Sequence, residues 1–126
     1  NGADRLTETI RHIANQKVNP DILWEVILVD NASTDNSKEV TQNEWNRHKC
    51  KAKLKIIDQP IPGKQLALEK GYEVAKYEYW LTCDDDNWLE ENFVQLTYEI
   101  MSSNEKIGVL GGPNEALCEL DPPEWF

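Results

Sequence analysis

Residues Tyr79 to Leu89 read YWLTCDDDNWL, a short apolar run that stops at three consecutive aspartates. Apolar and β-prone residues that end in a turn signal are typical of a buried strand, so we predict a strand over Tyr79–Cys83. Three adjacent carboxylates repel one another, and a divalent cation between their oxygens removes that repulsion. Because open α/β sheets bind ligands beyond the carboxyl ends of their strands, this stretch predicts a ligand site.

Helix and strand patterns alternate along the rest of the chain. Leu6, Ile10 and Ile13 form one apolar stripe, which predicts a helix over residues 4–16. This alternation predicts an α/β layered fold with a largely parallel sheet. The other predicted helices cover residues 37–48, 64–76 and 89–100, and the other predicted strands cover residues 24–29, 53–58 and 107–112.

The chain has 126 residues, enough for one domain with one core, and we assign 1–126 to a single partial domain. A doubly wound unit normally opens with a strand, whereas this pattern opens with a helix. We therefore expect a first strand before Asn1. The apolar end at Trp125 and Phe126 leads us to expect that the domain continues.

The formal net charge is −10, from 13 basic and 23 acidic residues. This balance argues against nucleic acid and anionic lipid as primary partners, but a metal ion can still reverse the local sign for a phosphorylated small molecule. No run of residues is long and apolar enough for a membrane span. Cys50, Cys83 and Cys118 lack metal-ligand spacing, so we predict reduced thiols in a cytoplasmic protein.

Asp84-Asp85-Asp86-Asn87 is the first candidate site. Asp86, with Asp84, offers hard oxygen ligands for Mg²⁺ or Mn²⁺, which in turn holds a diphosphate. The alternative is an acidic turn at the start of the following helix, where negative charge is favourable by itself. A calcium loop fits poorly, because the twelfth position counted from Asp84 is Gln95 rather than Glu.

Asp30-Asn31 is the second candidate site, since it ends another strand and should share the same sheet edge. These side chains can hydrogen-bond a heterocyclic base or a ribose; the alternative is an Asx-turn. Lys64 enters a helix after a Pro/Gly loop, where it can reach a phosphate or remain a solvated surface lysine. We place Trp80 in the core and His12 on the surface.

Three signatures give the chain a resemblance to the nucleotide-binding part of a family 2 glycosyltransferase. Trp24–Asp35 is similar to the family's second strand and its V-D-x-x-S-T-D loop. Leu68–Tyr79 resembles the helix that leads to a G-E-Y-like entry, and Leu81–Asn87 resembles the D-x-D strand end. Asn1-Gly2 resembles the tail of the first-strand motif. The implied fold is GT-A, a Rossmann-like three-layer sandwich with a mostly parallel sheet.

The resemblance also implies roles for individual residues. Asp86 would be the principal metal ligand, with Asp84 as a second ligand. The nucleotide-sugar contacts would come from Asp30, Asn31, Lys64, Asp84 and Asp85. The sequence departs from the family pattern at three places, namely Asn31 where Asp is common, Leu68-Glu69 where Arg-Asn is usual, and Tyr77 where Gly is common.

The implied reaction is metal-dependent, inverting transfer of a sugar from a nucleotide-diphosphate donor, with a UDP-sugar favoured, to an unknown acceptor hydroxyl. In the family the catalytic base comes from a later segment, so neither Glu115 nor Glu119 is assigned to that role. A sugar-phosphate nucleotidyltransferase and a non-catalytic nucleotide-sugar-binding module are the alternatives.

Overall fold

The computed structural model describes residues 1–116. The predictions that concern Cys118, Glu119, Trp125 and Phe126 lie outside the described residues. The helices and strands, in chain order, are α1 (Ala3–Ala14), β1 (Glu25–Asn31), α2 (Ser37–Arg47), β2 (Lys53–Gln59), α3 (Lys64–Val74) and α4 (Phe93–Ser103).

The two strands form a parallel sheet, which confirms the predicted α/β class. Their register runs from Glu25 opposite Lys53 to Asn31 opposite Gln59. This register brings Asp30 opposite Asp58 at the carboxyl end of the sheet. Except for the buried Asp30, the residues of β1 are half-buried.

The core lies where α1 packs against α2. Leu6, Ile10 and Ala14 of α1 are buried, as the apolar stripe predicted. Trp45 of α2 is buried in the same core, and Ala52 joins it ahead of β2. The core therefore rests mainly on the two helices that flank β1 in the sequence.

One carboxylate caps both of these helices. Asp35 Oδ2 accepts a hydrogen bond from the backbone N–H of Ala3, the first residue of α1. Its Oδ1 accepts from the backbone N–H and the hydroxyl of Ser37, the first residue of α2. These bonds lower the pKa of Asp35 to about 2, with the bond from the Ser37 hydroxyl as the largest cause.

The predicted strands over Tyr79–Cys83 and 107–112 are wrong. Neither segment belongs to the sheet, and Tyr79, Trp80 and Leu81 are all exposed, which also corrects the prediction that Trp80 is a core residue. Strand formation depends on a neighbour that accepts the backbone hydrogen bonds and covers the side chains. No strand among residues 1–116 pairs with either segment.

The helices α1 and α3 each end two residues earlier than predicted, and α4 begins four residues and ends three residues later than predicted. Residues 89–92 precede α4, and the side chains of His12 and Gln16 contact the carbonyls of Leu89 and Glu90 there. None of the helices within residues 1–116 has the length and apolar composition that a bilayer crossing requires.

Candidate functional site

The three aspartates lie in a tight turn, residues 84–87, that we call the acidic loop. The backbone N–H of Asn87 donates to the carbonyl of Asp84 at 3.2 Å. Because α4 begins only at Phe93, the aspartates lie outside its first turn. This geometry does not support the alternative in which they cap the following helix.

Asp84 pairs with the predicted phosphate-binding lysine. Lys64 Nζ lies 2.8 Å from one carboxylate oxygen of Asp84 and 2.9 Å from the other. This hydrogen bond and charge raise the pKa of Lys64, and the charge of Asp86 adds to the shift. The pair joins the start of α3 to the acidic loop, two predicted site elements that are 20 positions apart in the sequence.

Asp85 pairs with a cation that the sequence had not indicated. Arg5 Nη2 donates to Asp85 Oδ2 at 2.6 Å, which raises the pKa of Arg5. The backbone carbonyl of Asp85 accepts from the Thr9 hydroxyl at 2.8 Å. Gly2 lies so close that an added methyl group would overlap the Asp85 carboxylate, so this approach requires glycine.

Asp86 forms no ion pair with any residue in the described part of the chain. Its charge is nonetheless felt by Arg5 and Lys64, whose pKa values it helps to raise. The carboxylate oxygens of Asp84 and Asp86 are the ligand type that Mg²⁺ and Mn²⁺ prefer. No three His, Cys, Asp or Glu side chains form a metal-binding group within residues 1–116, so a cation here needs further oxygens from a diphosphate and water.

The Asn31 side chain connects the end of β1 to the loop that leads into α3. Its Nδ2 donates to the carbonyls of Gln59 at 3.1 Å and Ile61 at 2.7 Å. Its Oδ1 accepts from the backbone N–H of Gly63 at 2.7 Å. Gly63 has φ 153°, a conformation that favours glycine, and Lys64 follows directly. Asn31 therefore holds the loop from which Lys64 reaches Asp84.

Asp30 lies beside this bridge but has a different partner. Its side chain is 6% exposed, and Lys38 Nζ lies 3.6 Å from its Oδ2. Lys38 also donates to Asp58 at 2.8 Å, and this bond is the largest cause of its raised pKa. One lysine thus bridges the two aspartates that face each other at the carboxyl end of the sheet.

The structure thus links three of the six predicted site residues through short contacts. Asn31, Lys64, Asp84 and their connecting loop form one hydrogen-bonded chain, whereas Asp30 is tied to Lys38 instead. Sequence reasoning missed four residues, of which Asp58 had a usable signal, since it ends a predicted strand just as Asp30 does. The missed residues are Arg5, Thr9, Lys38 and Asp58.

Cys83 and Trp88 flank the acidic loop in the sequence. Trp88 is about half exposed and stacks on His12, with ring centroids 5.7 Å apart. His12 Nδ1 also lies 3.0 Å from the carbonyl of Leu89, and His12, predicted to be a surface residue, is half-buried. Burial raises the pKa of Cys83 to about 11, and the nearby aspartates add to it. A thiol with that pKa is a poor nucleophile near neutral pH.

A surface groove of about 420 Å³ lies at another place, lined by Glu78, Tyr79, Met101, Ser102, Glu105 and Ile107. None of these residues was predicted to bind the donor. Its lining holds two carboxylates and no basic side chain, so no cation there offsets the repulsion of an anionic diphosphate. The acidic loop, with its adjacent Lys64 and Arg5, is the better candidate.

The sequence profile described as Glycosyl transferase family 2 matches residues 1–125. The chain belongs to this family. A glycosyltransferase, GlyG, from Streptococcus pneumoniae serotype 4 is 30% identical over 107 residues, which cover 84% of this chain and 34% of that protein.

Two other relatives have more specific names. A cholesterol galactosyltransferase from Borreliella burgdorferi is 29% identical over 98 residues, covering 78% of this chain and 26% of that protein. A poly-beta-1,6-N-acetyl-D-glucosamine synthase from Staphylococcus epidermidis is 28% identical over 89 residues, covering 70% and 21%. The chain thus spans about a third or less of the length of these curated relatives. No solved structure matches the chain.

Proposed function

We propose that the chain forms the donor-binding part of a metal-dependent, inverting glycosyltransferase. The donor is a nucleotide-diphosphate sugar, with a UDP-sugar favoured, and the acceptor is a hydroxyl group of unknown identity. The observation that carries this proposal is the hydrogen-bonded chain from Asn31 through Gly63 and Lys64 to Asp84. This chain connects the strand end to the acidic loop, as a donor site that spans nucleotide and diphosphate requires.

Asp86 and Asp84 are the proposed metal ligands. Asp86 is free of ion pairs among the described residues, whereas Asp84 is held by Lys64. A bound Mg²⁺ or Mn²⁺ supplies neutralisation of the charge that develops on the leaving diphosphate. The Lys64 side chain is 72% exposed, so it has room to turn from Asp84 to a donor phosphate and release that carboxylate.

The nucleotide end of the donor is assigned to the carboxyl end of β1. Asp30 offers a carboxylate for the base or ribose, and its partner Lys38 is a second polar group there. Asn31 contributes through the loop that it holds, since its amide is already used by three backbone partners. Asp85, paired with Arg5, is the proposed ribose-side residue of the acidic loop.

Family membership favours sugar transfer over nucleotidyl transfer. The names of the relatives include different acceptors and sugars, so they support glycosyl transfer in general and not one acceptor. We also propose a cytoplasmic location, because Cys50 and Cys83 form no disulfide within residues 1–116.

Calorimetric titration with UDP, GDP and dTDP, with and without Mn²⁺, tests the proposal. The expected result is metal-dependent binding of one nucleotide, with UDP favoured, and its loss in Asp86→Ala. Asp21→Ala is the matched control, because Asp21 is an exposed aspartate outside the acidic loop. Absence of binding by the wild type in the presence of Mn²⁺ contradicts the donor site. Metal-independent binding that Asp86→Ala leaves unchanged contradicts only the assigned ligand.

A further inference from the structure

One face of α1 contacts the segment that contains the acidic loop. Arg5, Thr9 and His12 are spaced four and three residues apart, which places them on one side of α1, and Gln16 follows just after Ala14, the last residue of the helix. We call these four residues the polar face of α1. This face runs beside the buried apolar stripe, so one side of the helix builds the core while the adjacent side is available for polar contacts.

The first two members of the polar face bind Asp85. Arg5 Nη2 donates to its carboxylate at 2.6 Å, and Thr9 Oγ1 donates to its backbone carbonyl at 2.8 Å. The side chain and the main chain of one aspartate are therefore both tied to α1. Asp84 and Asp86, the two proposed metal ligands, are its immediate neighbours.

The other two members hold the segment that follows. His12 Nδ1 lies 3.0 Å from the carbonyl of Leu89, and Gln16 Nε2 donates to the carbonyl of Glu90 at 2.7 Å. Gln16 Oε1 accepts from the backbone N–H of Val94, the second residue of α4, at 3.0 Å. The polar face thus fixes both the acidic loop and the entry to α4.

The hydroxyl of Thr9 has an unusual hydrogen-bond partner for a threonine in a helix. A threonine within a helix commonly returns its hydroxyl to a carbonyl of the preceding turn. Thr9 instead donates to a residue 76 positions away, and it is only 3% exposed. A buried hydroxyl without a partner is unfavourable, so the buried Thr9 depends on its hydrogen bond to the carbonyl of Asp85.

We infer that Thr9 and Arg5 are positioning residues for donor binding, acting through Asp85 on the proposed metal ligands. The acidic loop has no strand ladder behind it among residues 1–116, so its backbone must be held by other contacts. The polar face of α1 provides them. A loop that is already ordered loses less conformational freedom when a cation and a diphosphate bind. This role rests on the donor site proposed above.

Three variants separate positioning from general stability. Thr9→Val removes the hydroxyl and keeps the β-branched shape, whereas Thr9→Ser keeps the hydroxyl and removes the methyl group. Thr41→Val is the matched control, because Thr41 is fully buried and its hydroxyl has no partner in the described part of the chain. It therefore makes the same substitution in a buried helix position without breaking a hydrogen bond.

Two readouts are measured on each variant. Amide hydrogen exchange at Asn87 reports the order of the ligand-free loop, and calorimetry reports the affinity for UDP with Mn²⁺. In Thr9→Val we expect exchange at Asn87 to rise and affinity to fall, each at least about fivefold, as loss of one hydrogen bond implies. Thr41→Val should change neither by more than about twofold on the same scale. Thr9→Ser should lower thermal stability, since it removes the buried methyl group of Thr9, but it should leave the affinity for UDP with Mn²⁺ unchanged.

The outcomes distinguish this inference from the proposed function. If the wild type binds no nucleotide with Mn²⁺, the proposed function fails, and exchange at Asn87 alone then decides whether Thr9 orders the loop. If Thr9→Val matches Thr41→Val in both readouts, the positioning role is overturned. The same holds if Thr9→Ser loses affinity as much as Thr9→Val, because lost packing then explains both variants.

Discussion

Asn31→Asp tests whether the amide of Asn31 holds the loop before α3. The substitution keeps the size of the side chain and the acceptor for the Gly63 N–H, but it removes the two hydrogen bonds donated to Gln59 and Ile61. It also places a carboxylate against two carbonyl oxygens. Each donated bond contributes about 0.5–1.5 kcal/mol, so together with the repulsion we expect a loss of about 2–3 kcal/mol in the free energy of unfolding.

Denaturant unfolding near pH 7 measures this loss, with Asn43→Asp as the control. Asn43 is exposed on α2, so the same substitution there adds a charge without breaking a bridge. The carbonyls around the new carboxylate should raise its pKa, so the loss should shrink as the pH falls and the protonated form donates one bond. If Asn31→Asp and Asn43→Asp differ by less than about 0.5 kcal/mol, where surface changes usually fall, the amide does not hold the loop.

Three further perturbations test other parts of the structure by denaturant unfolding. The pKa of Asp35 is about 2 against an ordinary 3.8, so its hydrogen bonds stabilise the fold above pH 3.8, and this stabilisation is lost as the pH falls through about 2. In Asp35→Asn the free energy of unfolding should therefore depend less on pH between pH 4 and 2. An unchanged pH dependence contradicts the double cap. Gly2→Ala should turn the Asp85 carboxylate aside and lower the free energy of unfolding by less than about 1 kcal/mol relative to Gly108→Ala, because only the end of a side chain must move. A decrease above about 2 kcal/mol means that the backbone moves instead. Lys38→Met should lower the denaturation midpoint more than Lys49→Met does, since it leaves the buried Asp30 facing Asp58 without a cation. Equal midpoints in the two variants contradict a stabilising role for Lys38.

The parts of the fold that local pattern determines were predictable from sequence. The apolar stripe of α1 gave its buried face, and β1 and β2 form where apolar runs end in Asp30 and Asp58. The segment Tyr79–Cys83 has the same pattern and is not a strand, because strand pairing depends on a neighbour that the pattern does not contain.

The candidate site divides in the same way. The acidic residues and Lys64 were predictable, since their chemistry and their position after apolar runs are visible in the sequence. The bond from Arg5 to Asp85 spans 80 positions, and only the folded chain brings the two together. The sequence of α1 nonetheless indicates a face for polar contacts, because polar residues repeat there with helical spacing beside the apolar stripe.

Paramagnetic broadening by Mn²⁺ in the presence of UDP tests the central claim most directly. The carboxyl and amino ends of β1 lie about 20 Å apart, since seven strand residues rise about 3.3 Å each. With Mn²⁺ and UDP bound, the amide signals of Asp84–Asn87 and Lys64 should broaden strongly, while those of Glu25 and Lys53 at the start of the sheet should broaden much less. Sharp acidic-loop signals despite bound Mn²⁺, or broadening centred on the start of the sheet, would contradict a donor site at the acidic loop.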